Sequence, residues 1–346
     1  MTGTIGDQQT NIIDELECPI NTLEFQKMFS TEVACLQYLE HMRWPNGFTC
    51  SKCSEVGEPF RIPTRLRVLI CKSCRYETSI TAGTVMHRSK TDILVWFWAA
   101  YLVSTQTPGI SALELQKKLG IDRYETAFQM LHKLRGAMVR PNRDRIGEKW
   151  PLELDVVYIG GKTKSGISGK TNQTPVIIAV ELRQREVRDP TTNKIKQRAL
   201  AGRVRLQKLQ NKTAAGVNQF AQNCIVPGAS IVSDDGTEFS SLMKLGYNHQ
   251  AVPMRGDKLK MNSTLPMISV VTANLKTWID GAFHGVTKKH LQAYLDEFMF
   301  RFNRRFYRAV SFRSLLDLGM LNPGVTYQDV YARPQSAMLH KYVATG

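Results

Sequence analysis

Two groups of residues in this chain have the types and spacing for chemistry. The first is Cys50-x2-Cys53 with Cys71-x2-Cys74. Two short-spaced thiolate pairs can reach the four corners of a tetrahedron around one zinc ion, a closed and therefore structural site. Such a metal supplies folding energy to a segment too small to build a core of its own. A redox dithiol needs only one such pair, and an iron–sulfur cluster is the other four-thiolate reading; the spacing favours zinc. Cys18, Cys35 and Cys224 stand apart and read as small apolar residues.

The second group is acidic. In Leu152-Glu153-Leu154-Asp155-Val156-Val157-Tyr158-Ile159, strand alternation sends Glu153, Asp155 and Val157 to one face and Leu154, Val156 and Tyr158 to the other. A carboxylate in mid-strand is costly unless it is paired, solvated or bound to a metal. A further apolar run, Ala229-Ser230-Ile231-Val232-Ser233, ends in Asp234-Asp235-Gly236, an acid at a strand tip, where α/β sheets gather ligands. Alternation lets only one of Asp234 and Asp235 face a shared site. Two carboxylates from neighbouring strands are the minimum that can hold a pair of Mg2+ ions about 4 Å apart across a phosphodiester. Separate turn or capping roles for these acids are the alternative.

The elements that must position these groups follow from periodicity. Residues 23–43 read as a helix, and 44–84 as a turn-rich ribbon containing the β-like run Arg67-Val68-Leu69-Ile70. Helical patterns at 92–103, 111–119 and 123–139, broken by Pro108-Gly109 and Gly120, suggest a helix-turn-helix, with Ser111 and Asp122 as caps. Its second helix would present Arg123, Tyr124, Glu125 and Gln129 to base edges, with Lys117, Lys118, His132, Lys133 and Arg135 on phosphates. Residues 140–149 read as a basic linker. Strand-like runs at 152–159, 175–182, 203–206 and 230–233 alternate with helical ones at 213–223 and 239–245, which argues for an α/β sheet domain. Helical patterns return at 271–278 and 288–302.

Composition bounds the partners. The 346 residues carry 46 Lys and Arg against 30 Asp and Glu, a formal charge of +16, which favours a polyanion. In the sheet domain Lys162, Lys164, Lys170, Arg203, Arg205, Lys208, Lys212, Lys258, Lys260, Lys288 and Lys289 fit DNA tracking. The longest apolar run, near residues 93–103, is shorter than the roughly 20 residues that span a bilayer. The N-terminus has no secretory pattern and the cysteines suit a reduced compartment, so the expected location is cytoplasmic and nucleoid-associated, with no membrane partner.

Taken together, the chain resembles the zinc-ribbon DDE transposases of bacterial insertion sequences, the group with an ISXO-like domain whose catalytic set is two aspartates, then Asn or Glu, then Lys. The resemblance runs from about residue 24 to 308. It is carried by Arg43-Trp44-Pro45-Asn46-Gly47-Phe48, Thr81-Ala82-Gly83-Thr84-Val85, Tyr158-Ile159-Gly160-Gly161, Leu245-Gly246-Tyr247-Asn248-His249, Ala273-Asn274-Leu275-Lys276-Thr277-Trp278 and Phe300-Arg301-Phe302-Asn303-Arg304-Arg305. It implies an RNase H-like domain in which Asp155 and Asp234 bind Mg2+ or Mn2+, Asn274 holds the third ligand position, and Lys276 contacts DNA or the transition-state phosphate. Asp234 is preferred to Asp235 by its distance from Leu245-Gly246-Tyr247.

Three departures from the family pattern stand out: Val156 where an acid is usual, Ser269 where His is common, and the uncharged Asn274 in place of Glu. Residues two apart on a helix do not share a face, so Asn274 and Lys276 cannot both point inward from a regular helix, and Glu297 is a rival third ligand. The expected organisation is a leader and helix (1–43), zinc ribbon (44–84), helix-turn-helix region and linker (85–149), RNase H-like α/β catalytic domain (150–308) and tail (309–346). The expected function is metal-dependent cleavage and transfer of double-stranded DNA at element ends, in a homo-oligomeric synaptic complex. A catalytically weakened DNA-binding relative and a zinc-ribbon transcription regulator are the alternatives.

Overall fold

The computed structural model describes residues 17–140, 143–160, 173–188, 193, 195–253, 263–321, 325–326 and 329–330. The expectations for Lys162, Lys164, Lys170, Lys258 and Lys260, and for most of the leader and of the terminal segment, lie outside those residues. The chain divides into two compact units, Met1–Gln106 with Leu115–Ala137 and Tyr307–Gly324, and Thr107–Glu114 with Met138–Phe306 and Val325–Gly346. No described helix is long and apolar enough to cross a membrane.

In the first unit the helix expected at 23–43 is two, α1 (Thr22–Met28) and α2 (Glu32–Arg43). The break is chemical: the Thr31 hydroxyl accepts from Ala34 N at 3.2 Å and starts a new helix, as Asn21 does for α1. A three-stranded antiparallel sheet follows, β1 (Phe60–Arg61), β2 (Val68–Ile70) and β3 (Glu77–Ser79). Then comes α3 (Ile93–Thr105), capped by Asp92 on Leu94 N and apolar on nearly every side, as a central helix must be. Phe25 and Phe29 pack against Phe97, Tyr101 and Phe312. Phe312 lies on the chain's last described long helix, Ala309–Leu321, in a segment whose sequence pattern suggested only a tail. Its Phe312, Leu315 and Leu316 are fully buried.

The helix-turn-helix forms from α4 (Ala112–Leu119) and α5 (Tyr124–Ala137). Ser111 caps the first, accepting from Glu114 N at 3.2 Å. Gly120, at φ +61°, ends it, and Ile121 N returns to Gln116 O at 3.0 Å, the closing bond of a Schellman turn that needs a left-handed residue. Lys117 and Lys118 on α4 and Arg123, Tyr124 and Glu125 at the start of α5 are exposed, and Gln129 is half-buried. His132, Lys133 and Arg135 are corrections. Arg135 and His132 are buried, and Lys133 Nζ donates to His87 O at 3.2 Å above the Trp96 ring, so none of the three is presented to a phosphate.

The second unit is the α/β domain. Its sheet runs in the order β6-β5-β4-β7-β8. Strands β4 (Leu152–Ile159), β5 (Thr174–Arg188) and β6 (Ile195–Lys208) are antiparallel neighbours, while β7 (Ser230–Asp234) and β8 (Asn248–Val252) run parallel to β4. The β4 alternation holds. Leu152, Leu154 and Val156 join Val217, Phe220 and Ala221 of α6 (Ala214–Cys224) in one core. Val157 and Ile159 join Ile268, Val271, Leu275 and Leu295 in the other, beneath α7 (Pro266–Phe283) and α8 (Leu291–Asn303). Helices thus cover both faces. The Ala309–Leu321 helix, in the first unit, is α9. Residues 239–245, read as one helix, are instead two short 3-10 turns, Thr237–Phe239 and Met243–Leu245. The expected linker is partly interior: Ile146 is fully buried and bridges to Ile225.

Candidate active site

The cysteine cluster is built by two copies of one turn. Ser54 N returns to Cys50 O at 2.9 Å and Arg75 N to Cys71 O at 3.0 Å, and both Ser54 and Arg75 are left-handed, at φ 58° and 60°. These turns bring Sγ of Cys50 to 3.6 Å from Cys74, and Sγ of Cys53 to 3.6 Å from Cys71, with all four sulfurs within 4.8 Å. A tetrahedral ion with Zn–S bonds of about 2.3 Å sets sulfurs about 3.8 Å apart, so the donor set fits zinc. The Cys53 backbone N–H, followed by that of Lys52, draws the Cys50 thiol down to about 6 and so favours the thiolate a metal needs.

The acids come together on the sheet. Parallel pairing of β4 with β7 sets Leu152 beside Ile231 and Glu153 beside Val232. Continued two residues, that register sets Asp155 beside Asp234 on one face. Asp155 is 7% exposed, and its Oδ1 accepts from Val156 N at 2.7 Å. Burial chiefly, and then the Asp234 charge, push it up to about 6. Asp234 is likewise raised by burial, and its Oδ1 accepts from Gly236 N at 3.3 Å. Asp235 is exposed, as alternation demands. Two carboxylates at one register position, both raised chiefly by burial, form an oxygen donor set suited to a hard divalent cation, so the residues fit Mg2+ or Mn2+.

Two further charges share this environment. Glu238, 7% exposed, approaches Lys212 Nζ at 2.5 Å, and both act electrostatically on Asp155 and Asp234. Gly236 makes the room, since a Cβ there would lie 2.5 Å from Glu238 Oε1. In the sequence Lys212 stands out only as one of many basic residues, and Glu238 was missed. The available signal was the acid four positions after Asp234 in a turn that leaves a strand tip.

Asn274 and Lys276 are both exposed on α7, on either side of the fully buried Leu275. At about 100° per residue they stand some 200° apart around the axis, on opposite flanks of the stripe that faces the sheet. Ser269 lies one turn into the same helix. Glu297 is wholly buried and pairs with Arg301 at 3.2 Å. Val156 faces the α6 core, away from Asp155, so the departure there removes nothing from the acid pair.

Glu153 has a different task from its neighbour. Its Oε2 accepts from Ile268 N at 2.7 Å, on a helix whose own N-cap, Leu265, offers no side-chain acceptor. A carboxylate on β4 thereby caps α7 across the core.

Among the basic residues expected to track DNA, Arg205 is 4% exposed and its Nη2 donates to Asp144 O at 2.7 Å, while Arg203 is bonded to Glu181 and Asp144. These two are corrections: they hold the domain together from within. Lys208 Nζ donates to Lys288 O at 3.2 Å, and Lys289 is exposed.

Comparison with known families gives two matches. Residues 150–303 match the ISXO2-like transposase domain, and residues 30–77 match the transposase zinc-ribbon domain. No curated protein matches the chain.

Proposed function

From a chain that belongs to the zinc-ribbon transposases with an ISXO2-like domain, we propose an active enzyme that binds the ends of its element and carries out metal-dependent strand cleavage and strand transfer. The observation that carries this reading is the convergence of Asp155 and Asp234 at one register position on adjacent parallel strands. These acids would hold Mg2+ or Mn2+, whose role is to activate a water or 3'-hydroxyl and to stabilise the leaving oxygen of the phosphodiester. The chain's own residues position and balance charge. The β4 and β7 backbones fix the two carboxylates, and the bonds to Val156 N and Gly236 N orient them. Lys212, held by Glu238, offsets their charge.

Asn274 is assigned the third ligand position and Lys276 a DNA contact. Since they occupy opposite flanks of α7, only one can meet the acids while the helix stays regular. The ribbon cysteines would hold structural Zn2+, and two bound ends call for a homo-oligomeric complex on double-stranded DNA.

The test is cleavage and joining of labelled element-end DNA with Mg2+ or Mn2+. Wild type is expected to nick and join, and Asp155→Ala, Asp234→Ala and Asn274→Ala to lose both. Loss in Glu297→Ala with retention in Asn274→Ala would move the third ligand, and an inert wild type would refute the enzyme reading.

A further inference from the structure

Strands β5 and β6 are far longer than the rest of their sheet. Pairing with β4 ends at Glu181, yet β5 and β6 continue together from Leu182↔Ala201 to Arg188↔Ile195. At about 3.4 Å per residue this is a two-stranded ribbon roughly 20 Å long. The register shifts between Val180 and Leu182, where it departs from the sheet. Such an irregularity bends a strand away from its neighbours. Past Leu182, Arg183, Gln184, Arg185 and Glu186 are all exposed, as are Gln197 and Arg198 opposite Glu186 and Arg185.

The charge on the ribbon is lopsided. Arg185 lies directly across from Arg198, and alternation puts Arg183 on the same face. Like charges directly opposite in an antiparallel pair are destabilising, so the chain gains nothing internally from this arrangement. The Glu186 side chain is taken by Gln197 Nε2 at 3.0 Å, and among the described residues no acid pairs with Arg185, Arg188 or Arg198. Arg305, whose Nη2 donates to Ala201 O, adds positive potential at the base, where it acts on Arg183.

We propose that this β5–β6 ribbon is a DNA-gripping arm that lays its Arg185 and Arg198 face along a groove of duplex DNA, outside the acid site, while Arg183 at its base stays within 3.9 Å of Glu181. The inference rests on the transposase reading for its choice of polyanion. A major groove about 12 Å wide admits a two-stranded ribbon, and arginines on such a ribbon reach phosphates on the groove walls. The repulsion between Arg185 and Arg198 in the free protein is then relieved in the complex.

The experiment measures binding of the full-length protein to a generic 30-base-pair duplex by fluorescence anisotropy over a series of salt concentrations. Wild type is compared with Arg185→Ala/Arg198→Ala. With two fewer phosphates neutralised, the slope of log K against log salt should be shallower by about 1.8. Affinity near 0.1 M salt should fall about tenfold. The melting temperature should hold or rise, because a repulsive pair has been removed; a fall would mark a structural role and overturn the proposal. Equal affinity and slope in the two proteins would also overturn it while leaving the transposase reading intact. A wild type with no salt-sensitive duplex binding would sink both. Selective loss of affinity for duplex RNA, with DNA binding unchanged, would make RNA the occupant and refute the arm as described.

Discussion

At the scale of single residues, neighbouring acids on one strand face do different work. Glu153 and Asp155 are two apart on β4, and Glu153 satisfies the start of α7 while Asp155 faces Asp234. Glu153→Ala should therefore free the first N–H groups of α7 and cost about 1–2 kcal/mol in denaturant unfolding. Glu153→Gln keeps an acceptor and should recover most of that. The pH dependence has a definite sign. Burial raises the Glu153 carboxyl to about 7 from an ordinary 4.5, so between those values the folded state binds more protons than the unfolded. Stability then falls as pH rises from about 4.5 to 7, and Glu153→Gln should flatten that decline in a melting series. A slope unchanged in the Gln variant would assign the proton elsewhere. The places of Asp155 on a strand and Asp234 at a strand tip were legible because both are local signals, while their choice as a pair came from the family resemblance. Lys212 and Glu238 were not, since a loop before α6 and a 3-10 turn meet only in three dimensions. Lys212→Met should leave the acids without their counter-charge. Added Mn2+ should then raise the melting temperature more in this variant than in wild type, and an equal rise would remove Lys212 from the electrostatics of the site.

At the scale of elements, the sequence pattern located those whose signal is self-contained. β4 came out at the residues read, and α6 and α3 begin at the Thr213 and Asp92 caps that precede their apolar stripes. Errors arose where local polar chemistry outweighed periodicity, as at Thr31, which divides the first helical pattern, and at Gly236, which opens a tight turn. β5 and β6 were read too short because only their sheet-covered halves are apolar. Their outer halves mix charged residues with scattered apolar ones such as Leu182, Val187, Ile195 and Leu200, and carry no steady alternation to detect. The zinc ribbon is the element most dependent on something other than packing. Its three strands total eight residues. Chelation should therefore abolish amide protection in residues 44–84 while the β4–β8 sheet stays protected in hydrogen exchange. Concerted loss of both would show that the ribbon's metal stabilises the whole chain, and no loss would mean that the four cysteines do not depend on metal.

At the scale of the whole molecule, net charge suggests a polyanion partner but does not say which cations would meet it. A formal +16 is a sum over cations in different situations. Arg135 and Arg205 are interior, and Arg203 is bound to the fully buried Glu181, whose other oxygen bonds include Gly147 N at 3.2 Å. Sequence cannot separate such internal cations from free ones, because Arg185 and Arg203 each sit in a similar basic, strand-like run. The difference is that Arg203 lies beside Glu181, where β5 is still paired with β4, whereas Arg185 lies beyond that pairing. The distinction can be measured. Arg203→Gln leaves a buried carboxylate short of its partner and should destabilise the second unit by about 2–3 kcal/mol, below the 3–5 of a fully enclosed pair because a third of the Arg203 side chain meets solvent. At a temperature where the variant remains folded, its salt dependence of duplex binding should match wild type, since an arginine committed to Glu181 neutralises no phosphate. A shallower slope in Arg203→Gln would mean that this arginine exchanges its internal partner for DNA, and the division between structural and binding cations would have to be redrawn there.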